Sequence, residues 1–169
     1  MRDPALNMRS ATKANALVLA VVACLSCRAA LASDAADCKA IREFVASVQP
    51  GEERNLTFRT MWGGSFKDDK DPSDKVILAS KRCEHHEYGP AKAACAYLLE
   101  NGSTEFAGGN LGLVMHCLAR VDGLDNVWFE TAELSLTYGD ENRGANVDVV
   151  LAEDAEVGGM ALKMTVSGY

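Results

Sequence analysis

An α+β domain, with two amphipathic helices on one face of a four-stranded antiparallel meander stapled by two disulfides, is the fold class that the sequence predicts. Three observations predict it. Two segments, 38–48 and 91–99, carry apolar residues at helical spacing. From about Gly112 onward the period falls to two over four successive segments separated by turn residues. Four cysteines remain once an N-terminal export-like segment is set aside, an even number suited to two bridges.

In the first helix Cys38, Ile41, Phe44, Val45 and Val48 share a face, Ser33 or Asp34 can cap the start, and Pro50-Gly51 ends it. Asn55 to Trp62 has strand composition and is closed by Gly63-Gly64. A charged turn follows over 67–74, with Pro72 inside it. Asp74 to Arg82 suits either a short helix or a strand; a Ser73 cap with Asp74 at the front and Lys81-Arg82 at the back tips the expectation to helix, although Val76-Ile77-Leu78 would suit a strand. Gly89-Pro90 opens the second long helix, whose stripe is Ala91, Ala94, Cys95, Leu98 and Leu99, and Asn101-Gly102 stops it.

The four alternating segments are Val114 to Val121, Val127 to Tyr138, Val147 to Leu151 and Met160 to Val166. Asp122 to Asn126 and Gly139 to Gly144 supply turns, and short connections make a meander the simplest topology. One face is apolar and the other polar, so the two helices should cover the apolar one.

Residues 1–32 read as a secretory signal: a basic start, an apolar run from Ala14 to Leu25, and an A-x-A site at Ala30-Leu31-Ala32. The run is too short to span a bilayer, which takes about 20 residues. The expected organisation is a removed signal at 1–32 and one domain at 33–169, periplasmic or secreted in a bacterium. A lipid anchor at Cys24, from the lipobox-like Val21-Val22-Ala23-Cys24, is the minor alternative. Beyond the signal lie Cys38, Cys83, Cys95 and Cys117, which suit disulfides in an oxidising compartment and lack the short paired spacings of a zinc site. Four cysteines admit three pairings and sequence does not choose among them; the pairing expected here is Cys83 with Cys95 and Cys38 with Cys117, with at least one bridge joining helix to sheet.

The chain has 17 basic and 24 acidic side chains. Removing 1–32 leaves 13 and 23, a balance of −10, and residues 101–169 alone hold 3 and 11. No basic stripe is present, which excludes nucleic acid as a partner. The concentrated negative field instead suits a basic protein. The side chains expected at such a contact are Phe129, Glu130, Glu133, Asp148, Glu153 and Asp154.

Motifs for chemistry are sparse. Cys83-Glu84-His85-His86-Glu87 holds two of the three histidines, and His85, His86, Glu87 and His116 are the ligands that a metal-dependent hydrolase would use. Adjacent residues point apart, however, and no H-E-x-x-H spacing is present, so a polar loop explains the same letters. The acidic turns at 68–74 and 140–142 lack the calcium-loop pattern, and no G-x-S-x-G occurs. No cofactor is expected. A non-catalytic binding domain, such as an inhibitor or immunity protein for a cationic envelope enzyme, is the leading expectation, with a hydrolase at His85/His86 or a structural subunit of an envelope complex as alternatives.

Overall fold

The computed structural model describes residues 38–69, 77–121, 123–124 and 127–169. The expected signal and the caps at Ser33 or Asp34 lie outside them. The elements in chain order are α1 (Lys39–Ser47), β1 (Glu53–Trp62), β2 (Ala79–Glu84), α2 (Gly89–Asn101), α3 (Ala107–Ala119), β3 (Ala132–Gly139), β4 (Gly144–Glu153) and β5 (Met160–Gly168). Among the described residues the fold is α+β, but with three helices and a five-stranded antiparallel sheet in the order β2-β1-β5-β4-β3.

This corrects the expected two helices on a four-stranded meander at two places. Val114 to Val121 is not the first strand of the sheet; its first six residues are the end of α3. Its buried residues Leu111, Val114, Cys117 and Leu118 recur at helical spacing, whereas Gly108, Gly109 and Gly112 depress helix propensity and concealed the period. The stretch preceding Cys83 is not a short helix. Residues 79–84 form β2, an edge strand paired with β1, while 70–76 lie outside the described residues. Adjacent strand residues point to opposite sides, and β2 is half-buried at most positions, which leaves no apolar period for sequence to show. The segment expected from Val127 becomes a strand only at Ala132.

The meander β3-β4-β5 is present, and its last strand becomes the centre of the sheet because β1 pairs with the far side of β5. Helices α2 and α3 carry the chain from the β2 edge to the β3 edge across one face. Alternation then decides burial: Leu56 and Phe58, Leu162, Met164 and Val166, and Val147, Val149 and Leu151 all face the helices and are buried. Register places Phe58 beside Leu162 and Cys83, and Met164 between Leu56 and Val149. The helices close over this layer with Ile41, Phe44, Ala91, Leu98, Leu111 and Val114, each 0% exposed. Burying side chains of this size contributes about 1.5–3 kcal/mol each for Phe, Leu, Ile or Val.

The disulfides are Cys38–Cys117 and Cys83–Cys95, as expected. Because Cys117 lies on α3, the first ties the turn before α1 to a helix rather than to the sheet, and Cys83–Cys95 is the helix-to-sheet staple. Polar contacts also fasten α1 to both other helices. Arg42 Nε donates to Cys117 O at 2.8 Å beside the first bridge, and Tyr88 Oη donates to Ser47 Oγ at 2.9 Å between α1 and the start of α2.

Candidate functional site

The face of the sheet opposite the helices is not covered by any helix among the described residues. Its side chains are the polar half of each alternating strand, and register arranges them in rows. One row runs Glu84, Thr57, Lys163, Val150, Glu133; the next runs Asn55, Thr165, Asp148, Ser135. Glu133 and Asp148 are exposed, and Ser135 Oγ donates to Asp148 Oδ1 across the β3–β4 pair. Lys163 is separated from Glu133 by Val150. Between residues 121 and 162 the only basic residue is Arg143, in the β3–β4 turn, so the β3–β4 half of the outer face is negative without compensation on its own strands.

The opposite half is internally neutralised. Arg59 on β1 donates through Nε to Asp154 Oδ2 at 2.7 Å and pairs through Nη1 with Glu84 at 2.7 Å, clasping β1, β2 and the β4–β5 turn. Burial opposes the Arg59 charge, but the hydrogen bonds and attraction from Glu84 and Asp154 outweigh it and raise its pKa. Asp154 moves the other way. The Arg59 hydrogen bond first, then the Val157 backbone N–H, hold its carboxyl below the ordinary range. Arg82 similarly pairs with Asp68 at 3.0 Å and lies 4.7 Å over the ring of buried Phe66.

A carboxyl held below its unfolded pKa contributes stability that is complete above the unfolded value and is lost as pH falls through the folded one. Asp154→Asn should therefore be less stable than the parent at neutral pH. The gap should narrow from about pH 5 downward as the parent carboxyl takes up its proton. Denaturant midpoints measured across that range check this, and curves that stay parallel would contradict it.

The six residues expected to meet a partner are thus dispersed. Glu133 and Asp148 lie together on the outer face, Glu130 is exposed in the bend before β3, and Glu153 is exposed at the end of β4. Asp154 is engaged by Arg59. Phe129 is half-buried and packs against the core.

His85, His86 and Glu87 form the turn between β2 and α2, where they line a hollow of about 410 Å³ with Glu53, Arg54 and Tyr88. His86 and Glu87 both have positive φ, 46° and 59°, an arrangement uncommon outside glycine. His116 is on α3 and lines a different groove. Among the described residues no group of three or more His, Cys, Asp or Glu side chains is arranged to hold a metal.

Sequence reasoning missed that groove. It has a volume of about 790 Å³ and lies between α3 and the side formed by Val121, Leu124 and Val127, with Gly109 and Gly112 on its helix side and Phe106 and Trp128 at its rim. The two aromatic rings meet edge to face at 5.0 Å, and Trp128 is 69% exposed. Gly108 is required where the loop crosses the helix, since a Cβ there would come within 2.3 Å of Phe129 O. A helical reading of the glycine-rich stretch 107–119 was the available signal.

No protein-family model matches the chain, and neither a curated protein nor a solved structure matches it. Among the described residues no helix is long and apolar enough to cross a membrane.

Proposed function

We propose that this chain is an exported, non-catalytic protein-binding domain whose partner is a cationic protein, for example an envelope enzyme that it inhibits. The observation that carries the reading is the outer face of β3 and β4, where Glu133 and Asp148 stand exposed with no basic side chain on either strand apart from the turn. A surface of one sign steers an oppositely charged protein and rejects like-charged ones. Export is supported by the signal-like 1–32 segment and by two disulfides within the domain, since such bonds persist in oxidising compartments. The rigid sheet beneath the acidic side chains favours binding without rearrangement.

The test is a partner recovered on the immobilised protein at low salt, identified, purified and titrated against variants. The double reversal Glu133→Lys/Asp148→Lys should weaken its binding by about tenfold or more and flatten the salt dependence. Both changes are at exposed positions and should leave the melting temperature close to that of the parent. Unchanged affinity would remove the acidic face from the account.

A further inference from the structure

The two edges of the sheet are unlike. β2 is blunted by charge: Lys81, Arg82 and Glu84 occupy half of its six residues. β3 carries one charge, Glu133, in eight residues and no proline. Its backbone direction follows from the hairpin. Gly144 and Tyr169 exchange N–H to O bonds, so the backbone groups of Gly144 face the β5 side. Gly139, its partner in β3, therefore turns its own N–H and C=O away from β4. Backbone groups alternate sides at every residue of an antiparallel strand, so those of Glu133, Ser135 and Thr137 also point out of the open edge. Among the described residues no strand pairs with that edge.

The side chains alternate in the same rhythm. Glu133, Ser135 and Thr137 are exposed on the acidic outer face, whereas Leu134, Leu136 and Tyr138 continue the apolar layer but stay only half-buried, beside fully covered Val149, Val147 and Ala145. An added strand would finish covering them.

We propose that β3 is a strand-addition edge, and that its occupant is an extended segment of the cationic partner in which basic and apolar side chains alternate. The inference rests on the acidic-face reading above and supplies the partner's binding mode. Main-chain bonds to residues 133, 135, 137 and 139 hold the added strand, its apolar side chains extend the Leu134 and Leu136 layer, and its basic ones stand opposite Glu133 and near Asp148. A second copy of this chain is a poorer occupant, because it would bring two uncompensated acidic faces together.

The probe is a synthetic peptide of about eight residues, the length of β3, alternating lysine and valine, compared with one of identical composition in which the lysines and valines form separate blocks. Fluorescence anisotropy on the intact protein at low salt should show the alternating peptide binding about tenfold or more tighter. Thr137→Pro deletes one outward N–H without touching the β4 ladder or any charge, and should abolish that preference. Equal binding of the two peptides, or binding of neither, would overturn the strand-addition mode, and the comparison needs no variant to be valid. A dimer in sedimentation that Thr137→Pro dissociates would overturn it in favour of self-pairing. Failure here is distinguishable from failure of the acidic-face reading, which Glu133→Lys/Asp148→Lys tests on the purified partner.

Discussion

Replacing Cys38 and Cys117 together by alanine will lower the stability of the oxidised protein by about 4.5 kcal/mol, against about 3 kcal/mol for the Cys83/Cys95 pair. The difference comes from the chain that each bridge closes. Cys38 and Cys117 are 79 residues apart and Cys83 and Cys95 only 12, so the longer loop removes more entropy from the unfolded ensemble. Packing acts in the same direction, since Cys38 and Cys117 are 1% and 0% exposed while Cys83 is half-buried. The longer loop also encloses α1, β1, β2, α2 and most of α3, so without its bridge α1 is held by apolar contacts, by Arg42 on Cys117 O and by Tyr88 on Ser47 Oγ. For a domain of this size the larger loss corresponds to a fall in melting temperature of roughly 15 °C. Thermal unfolding of the two double variants gives the comparison, and equal or reversed losses would show that loop entropy does not govern these bridges.

Phe58→Ala will cost about 4 kcal/mol, the middle of the range for a core aromatic. Phe58 is 1% exposed and lies between Cys83 on β2 and Leu162 on β5. Its ring reaches the end of α2, where a Cβ on Gly102 would approach Phe58 Cε1 to 2.7 Å, so the absence of that carbon is what admits the ring. Neighbours on two strands and a disulfide cannot relax into the vacated volume, and a cavity that cannot collapse is the expensive kind. Urea unfolding reads the loss. A cost below about 2 kcal/mol would mean that the layer between α2 and β1 repacks freely.

How much of this was legible in the sequence divides along physical lines. β4 and β5 were readable because each has a fully apolar side against a polar one, and α1 and α2 because their stripes have helical spacing. α3 was not, since glycine at three of its first six positions removes the side chains that would display a period. β2 escaped because an edge strand lying under one helix needs no apolar alternation. The burial of Cys38, Cys95 and Cys117 was legible from their stripes, but three pairings stayed open; the expected one is the one formed, with Cys117 reaching the core from a helix rather than a strand. For the site, Glu133 and Asp148 were legible as outward positions of alternating strands. Asp154 was not separable from them, because its engagement by Arg59 joins residues 95 apart in the chain.

The most direct test of the central claim is amide hydrogen exchange on the complex with the purified partner. The account predicts slowed exchange in β3 and β4, centred on Glu133 to Thr137 and Asn146 to Val150, with the groove beside α3 unchanged. Protection confined to α3 and the Val127 to Phe129 segment, with β3 and β4 exchanging as in the free protein, would contradict it.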